Sequence, residues 1–272
     1  MRQFPVSPRE MVSSLWRNRG LVGVLVKREV VGRYRGSVMG IVWSFLNPVL
    51  MLSVYTFVFS VVFKARWSGS QDSKTEFALL LFAGLIVFNL FAECANRAPG
   101  LILANVNFVK KVVFPLEILS WVSVGSALFH AAISLGVWLI AYVILFGPPP
   151  ATACLLPLII VPPLLFAVGI SWLLASLGVY LRDVAQVVSI VTSILMFLSP
   201  VFYPASALPE EYRILLMLNP LTPAIEQARE VLFWGTVPDL LTLAANLLGA
   251  AATAALGFAW FQKTRRGFAD VL

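Results

Sequence analysis

The sequence predicts an all-α integral membrane protein with six transmembrane helices, an N-terminal amphipathic helix at the membrane surface, and short re-entrant helices before the last span. Hydrophobic residues make up 60% of its 272 residues and charged residues only 12%, with a mean hydropathy of +0.89. A soluble domain contains roughly 45–50% apolar and about 25% charged residues. The chain therefore has too little polar surface to cover a particle in water. The second observation is that long uncharged stretches alternate with short basic segments.

These stretches locate the crossings, because a helix needs about 20 apolar residues to cross a hydrocarbon core about 30 Å thick. From Ile118 to Leu181 there are 64 residues without Asp, Glu, Lys or Arg. The GPPP sequence at 147–150 divides this stretch, since consecutive prolines end a helix. Within a transmembrane domain at 36–262, the six spans are predicted at about 36–63, 77–97, 118–146, 151–181, 184–206 and 238–262.

The basic residues predict the orientation. If both termini are cytoplasmic, 15 of the 20 Lys and Arg residues lie in cytoplasmic segments and 5 lie outside. This excess agrees with the positive-inside rule. Cys94 and Cys154 then lie near opposite faces of the membrane, so they are not expected to pair within one subunit.

Residues 1–35 precede the first span and mix apolar and charged residues. Ser7 and Glu10 have the spacing of a capping box, which marks the start of a helix. We expect a helix along the cytoplasmic headgroups, although an ordinary helix without membrane contact is the alternative. The predicted interfacial anchors are Trp16, Arg33, Tyr34 and Arg35. Residues 263–272 are expected to form a cytoplasmic tail.

Several function classes fit the sequence poorly. It has no GxxxxGK[ST] motif to hold nucleotide phosphates. The uncharged spans lack the carboxylates of a proton-coupled transporter, although sodium coupling, which can use backbone carbonyls, is excluded less strongly. The acidic residues are too scattered to form the active site of a glycosyltransferase. The basic residues flank apolar runs, as charges that meet lipid headgroups do, which argues against a nucleic-acid-binding protein. His130, without an evident partner, is expected to be a packed, hydrogen-bonded histidine, and no metal site is expected.

Five segments in order carry a family resemblance. They are RYRGSVMGIVWSFLNP (33–48), NFVKKVVFP (107–115), YLRDV (180–184), SPVFYP (199–204) and LNPLTP (218–223). Together they resemble the permeases of type-2 ABC exporters that export polysaccharides, and most closely the O-antigen exporter permeases (Wzm-type). Permeases for capsule and teichoic acid are near relatives, which these segments do not separate.

The resemblance implies a multi-pass permease of the bacterial inner membrane that acts as a homodimer. Each subunit would pair with a cytoplasmic ABC ATPase that binds ATP and Mg, giving a 2+2 complex, while this chain binds no cofactor itself. The cargo would be a lipid-linked polysaccharide in contact with membrane lipids. An ion-coupled lipid-glycan flippase and a membrane glycosyltransferase remain the alternatives from other classes.

Two cytoplasmic segments are predicted to contact the ATPase. The basic-apolar segment before the third span can seat in a groove of a partner, although a loop held to lipid by its lysines is the alternative. The turn between the fourth and fifth spans carries adjacent opposite charges, which can instead fix the turn itself. The predicted coupling residues are Asn107, Phe108, Lys110, Lys111, Phe114, Pro115, Arg182 and Asp183.

The first span is predicted to line the substrate channel. Pro48 after Asn47 should kink the helix, and Tyr55, Phe59 and Phe63 recur at intervals of four on one face. Aromatic faces can stack on sugar rings, whereas lipid contact is the alternative. The predicted channel residues are Trp43, Tyr55, Phe59, Phe63, Phe88 and Tyr203. The polar-apolar segment between Glu210 and Asp239 is predicted to form the re-entrant helices, with a folded external loop as the alternative.

Overall fold

The computed structural model describes residues 5–62, 74–110 and 114–272, and all regular secondary structure in these ranges is helical. The α-helices are α1 (Pro8–Arg17), α2 (Arg19–Arg33), α3 (Trp43–Tyr55), α4 (Lys74–Arg97), α5 (Val106–Lys110), α6 (Ile118–Phe146), α7 (Leu156–Tyr180), α8 (Val184–Leu198), α9 (Glu210–Leu218), α10 (Thr222–Arg229), α11 (Leu240–Thr264) and α12 (Phe268–Val271). The predicted all-α class is confirmed for these ranges.

Five helical segments within the described ranges are long and apolar enough to cross a membrane. They are Gly40–Phe59, Thr75–Gly100, Ile118–Phe146, Ala151–Tyr180 and Leu240–Val271. The chain is therefore an integral membrane protein, as its composition predicts.

The helix in the predicted fifth span is shorter than expected. Helix α8 has 15 residues and ends at Leu198, whereas the span was predicted to reach 206. At 1.5 Å per residue, α8 is about 22 Å long, shorter than a hydrocarbon core of about 30 Å. Ser199 is extended because the next residue is Pro200, whose ring disfavours helical geometry in the residue before it.

The N-terminal helices begin as the capping motif predicts. The Ser7 hydroxyl accepts a hydrogen bond from the Glu10 backbone N–H at 3.3 Å, which confirms the predicted cap. Met11 and Ser14 on α1 are buried, whereas Trp16 is 70% exposed with the Arg19 guanidinium 4.8 Å from its ring centroid. Helix α1 is thus amphipathic: one face packs on the bundle and the other carries the predicted anchor Trp16.

A corner joins α2 to α3. Gly36 and Gly40 have φ angles of 84° and 52°, in the left-handed region that glycine adopts without steric cost. These two glycines let the chain reverse direction immediately after the basic residues Arg33 and Arg35. Pro48 lies inside α3, as predicted.

Helix α4 occupies the centre of the bundle and packs against α3, α6, α7, α8 and α10. Helices α7 and α11 form the most extensive helix pair. A Cβ at Gly257 on α11 would lie 2.1 Å from the Gly169 carbonyl oxygen on α7. The backbones approach this closely because both helices carry glycine at the crossing point.

The last residues of the chain pack against the bundle. The Phe268 ring is fully buried and lies 6.0 Å from the Tyr180 ring and 5.5 Å from the Phe261 ring. Residues 263–272, expected as a tail, are instead helical and packed against α7 because they include this large aromatic side chain. The first and last helices meet at the same end of the bundle, where Ser14 and Arg265 both bind Glu117.

Candidate functional site

A polar cavity of about 390 Å³ lies between α3, α4 and α6, closed at one end by the last residues of α2. Asn47 and Pro48 line it from α3, and Tyr34 borders it. From α4 it receives Asn89, Glu93 and Asn96, which recur at intervals of four and three and therefore share one helix face. Asn89 and Asn96 are exposed, although most of the side chains around them on α4 are buried.

Charged groups are concentrated where the cavity meets α2. Arg33 Nη2 donates to a Glu93 carboxylate oxygen at 2.7 Å. His130 Nδ1 lies 3.1 Å from both Glu93 oxygens and 3.0 Å from Arg33 Nη1. The expectation of a packed, hydrogen-bonded histidine is confirmed. Arg33, predicted as a headgroup anchor, is ion-paired to α4 at the end of α2, which packs along α6, and its side chain stays 39% exposed.

A second arginine extends this cluster. Arg97 forms an ion pair with Glu29 of α2, and its Nη1 lies 3.4 Å from Glu93. The two arginines and the two glutamates therefore balance in formal charge. Tyr34 lies edge-on to His130, with ring centroids 6.3 Å apart, while Arg35 is exposed.

The aromatic residues predicted to line the channel do not lie together in the structure. Tyr55 and Phe59 are neighbours, with centroids 6.5 Å apart. Phe59 stacks on Phe77 and Phe202 at 5.4 and 5.9 Å, so much of its ring faces other aromatics. Phe202 follows α8, so this aromatic cluster joins the end of α3 to the start of α4 and the end of α8.

The other predicted channel residues lie apart from this cluster or at its edge. Phe88 is 2% exposed and belongs to the core, which leaves it no surface for a substrate, because α4 is enclosed on almost every side. Trp43 is 42% exposed at the first turn of α3, three turns from Tyr55. The Tyr203 hydroxyl donates to the Phe197 carbonyl oxygen at 3.1 Å. Phe63 lies outside the described residues.

Within the described residues, the predicted coupling segment includes most of the short helix α5, and then Phe114 and Pro115. Phe108 stacks on Phe114 with ring centroids 4.2 Å apart, and the Arg28 guanidinium lies 6.0 Å from the Phe108 ring. Asn107 and Lys110 are exposed, and Lys110 Nζ donates to the Leu272 carbonyl oxygen. The helix thus holds its aromatic face inward and presents polar groups outward. Pro115 is half-buried, and Lys111 lies outside the described residues.

The turn between α7 and α8 carries Arg182 and Asp183, both exposed. The Asp183 backbone carbonyl accepts from the N–H groups of Gln186 and Val187, each at 3.1 Å, and so starts α8. A Cβ at Gly178, one turn earlier on α7, would lie 2.2 Å from the Pro99 carbonyl oxygen. The close packing of α7 on the segment after α4 fixes where this turn emerges.

Glu117 forms a buried polar centre that sequence reasoning missed. One carboxylate oxygen accepts from the Ser14 hydroxyl at 2.8 Å, and the other accepts from Arg265 Nη1 at 2.6 Å. Arg265 Nη2 donates to the Phe114 carbonyl oxygen at 2.7 Å, and the Trp172 indole donates to the Glu117 carbonyl oxygen at 2.9 Å. Through these four hydrogen bonds, Glu117 and Arg265 connect α1, α7, the start of α6 and the residues after α11 to the coupling segment. A sequence signal existed, since Glu117 stands at the edge of an uncharged stretch of 64 residues.

Sequence reasoning also missed the structural role of Arg229 on α10. Its side chain is fully buried and donates to the carbonyl oxygens of Leu80, Pro200 and Val201 at 2.9, 2.6 and 2.7 Å. Burial lowers the pKa of Arg229 to about 10, and Glu226 at 3.3 Å opposes this shift, so the guanidinium stays charged at neutral pH. A Cβ at Gly84 would lie 2.6 Å from Arg229 Nη2, which explains a glycine on α4 at this point.

Within the described part of the chain, no three His, Cys, Asp or Glu side chains lie close enough together to hold a metal ion. Cys94 is a buried free cysteine and Cys154 an exposed one.

Comparison with known proteins agrees with this architecture. Residues 20–233 match the family described as ABC-2 type transporter. The chain is 30% identical over 268 residues to the O-antigen export system permease protein RfbA of Myxococcus xanthus, covering 96% of this chain and 98% of that protein. It is 27% identical to an RfbA of Klebsiella pneumoniae, covering 93% and 95% of the two chains. It is 24% identical to the polysialic acid transport protein KpsM of Escherichia coli, covering 89% and 92%. The chain is a member of the ABC-2 type transporter family.

Proposed function

We propose that this chain is the membrane-spanning permease subunit of an ATP-driven exporter that moves a lipid-linked polysaccharide, the O-antigen of lipopolysaccharide, across the bacterial inner membrane. The main support for this proposal is the similarity to O-antigen export permeases over 96% of the chain. A match of this extent covers almost the whole chain rather than one shared motif. The family match at 20–233 includes the segments that form the cavity and the coupling helix α5.

In this proposal the chain crosses the membrane six times, with both termini in the cytosol. The contact of α1 and the residues after α11 with Glu117 supports an even number of crossings, because an odd number would separate the ends. Helix α8, together with the residues that follow it to 206, would provide the fifth crossing and so complete the six. The excess of basic residues at the end that holds the termini supports the orientation.

The energy would come from a partner. The chain would form a homodimer, with one cytoplasmic ABC ATPase bound to each subunit and supplying ATP and Mg binding. Helix α5 would seat in a groove of the ATPase through Asn107 and Lys110, with Lys111, Arg182 and Asp183 alongside. The inward aromatic pair Phe108 and Phe114 would transmit the movement, because Arg265 binds the Phe114 carbonyl and thereby links α5 to α11.

The short helices α9 and α10 would enter the outer leaflet near the exit of the pathway. Arg229 supports this placement, since it satisfies three backbone carbonyls that would otherwise lack donors in an apolar setting. Trp16, exposed on α1, would anchor the N-terminal helix in the inner headgroup layer.

Copurification and reconstitution test the proposal. Tagged protein should bring down an ABC ATPase, the complex in lipid nanodiscs should hydrolyse ATP, and loss of the chain should remove O-antigen from the cell surface while lipid-linked polymer accumulates inside. A chain that transports without an ATPase, in response to an ion gradient, would contradict the proposal, as would product formation from a nucleotide sugar. If loss of the chain removes a capsule and leaves O-antigen intact, the exported polymer is instead of the kind that the KpsM-like relatives transport.

A further inference from the structure

The cavity between α3, α4 and α6 holds side-chain amides that the bundle leaves unused. Asn96 Oδ1 accepts from the Thr192 hydroxyl of α8 at 2.9 Å. Asn47 and Asn89 also line the cavity, and within the described ranges their side-chain amides make no hydrogen bond. A polar side chain in a transmembrane helix is costly unless it meets another polar group. Asn47 and Asn89 are both exposed, so each amide is accessible to a ligand that enters the cavity.

The chemistry of the lining restricts what that ligand is. Arg33 and Arg97 are already paired with Glu93 and Glu29, so a phosphate entering here would have to displace a carboxylate. Amide and hydroxyl groups remain, and an amide both donates and accepts hydrogen bonds. A sugar hydroxyl does the same. The lining therefore matches a neutral group rich in hydroxyls better than an anion.

The rest of the cavity suits the apolar faces of a sugar ring. Met51, which is 46% exposed, lines it beside the amides, whereas Phe82, Ile86 and Leu90 border it with little exposed surface. Its volume of about 390 Å³ falls in the range of roughly 300–1,000 Å³ found for small-molecule sites. About half of the lining residues are polar, more than in an ordinary apolar pocket, as suits a ligand rich in hydroxyls.

We propose that this cavity binds a neutral sugar unit of the exported polymer through the amides of Asn47 and Asn89, and that it does not bind the phosphate end of the lipid carrier. The inference rests on the proposed function, because it takes its ligand from the exported polymer.

Cysteine protection tests the site directly. The Ser134→Cys variant of the complex with its ATPase, in nanodiscs, places a thiol in the same cavity and keeps both proposed amides. It is treated with N-ethylmaleimide, while the native Cys154, exposed and outside the cavity, serves as the internal reference. Polysaccharide released from its lipid by mild acid should slow labelling at position 134 and leave Cys154 unchanged, and inorganic pyrophosphate should have no effect. Equal protection by pyrophosphate, or none by the polysaccharide, would overturn the proposal.

Export by leucine variants provides the second measurement. Asn47→Leu and Asn89→Leu should each slow export roughly two- to tenfold, the value of one lost hydrogen bond, at unchanged membrane abundance. The matched control is Asn246→Leu, an amide on α11 that lines a different cavity. If the wild type exports polymer and both cavity variants match the Asn246→Leu control, this inference fails while the proposed function stands. If the wild-type complex neither hydrolyses ATP nor exports, the proposed function itself fails.

Discussion

Replacing Arg229 by methionine tests how the short outer helices are held to the bundle. The change keeps an unbranched side chain and removes the guanidinium that donates to the carbonyl oxygens of Leu80, Pro200 and Val201. Each buried acceptor that loses its donor costs about 1–3 kcal/mol, and methionine recovers part of this by apolar packing. Breaking a buried charged pair typically costs about 3–5 kcal/mol, and we expect a destabilisation of that order.

Arg213 provides the matched control. It lies on α9, faces Glu210 at 3.8 Å, and donates to the carbonyl oxygens of Leu208 and Ser206 at 3.0 and 3.3 Å. Its side chain is 41% exposed, so water can replace these contacts when the guanidinium is removed. An exposed pair of this kind contributes about 0–1 kcal/mol, so Arg213→Met should change stability little.

The assay is thermal unfolding of the purified protein in detergent, followed by loss of the monodisperse peak in size-exclusion chromatography. We expect Arg229→Met to lower the midpoint by on the order of 10 °C and Arg213→Met by less than about 3 °C. Equal midpoints for the two variants would refute the assignment of Arg229 as the link between α10, α4 and the segment after α8.

Three further predictions concern packing and coupling. Gly257→Ala should lower stability by about 1–3 kcal/mol, because its Cβ would overlap α7, whereas Gly249→Ala on the same helix meets open space and should be neutral in the same unfolding assay. Charge reversal of Lys110 together with its neighbour 111 should reduce export and ATPase binding while dimer formation, measured by crosslinking, is unchanged. Glu117→Gln should lower the polymer exported per ATP hydrolysed, and the double exchange Glu117→Arg with Arg265→Glu should restore part of it; full coupling in Glu117→Gln would remove this centre from the coupling pathway.

Much of the architecture follows from local sequence. The long apolar helices, the N-cap at Ser7 and the proline inside α3 agree with what their own segments predict. The bilayer requires each crossing segment to be apolar and helical by itself, so hydropathy and charge identify it without knowledge of its neighbours.

The interactions between helices were decided by the tertiary structure. Arg33 is predicted from the sequence as an interfacial anchor, yet it pairs with Glu93, and no local pattern indicates that Arg229 is enclosed by backbone carbonyls. Phe88 reads as a possible channel aromatic but lies in the core. Side chains far apart in the chain come into contact only when the helices pack together. The periodicity of a single segment does not show which helix each of its faces will contact. Composition and hydropathy are enough to identify this chain as a helical membrane protein. Which of its few polar groups hold the bundle together, and which face a cavity, depends on how the helices pack.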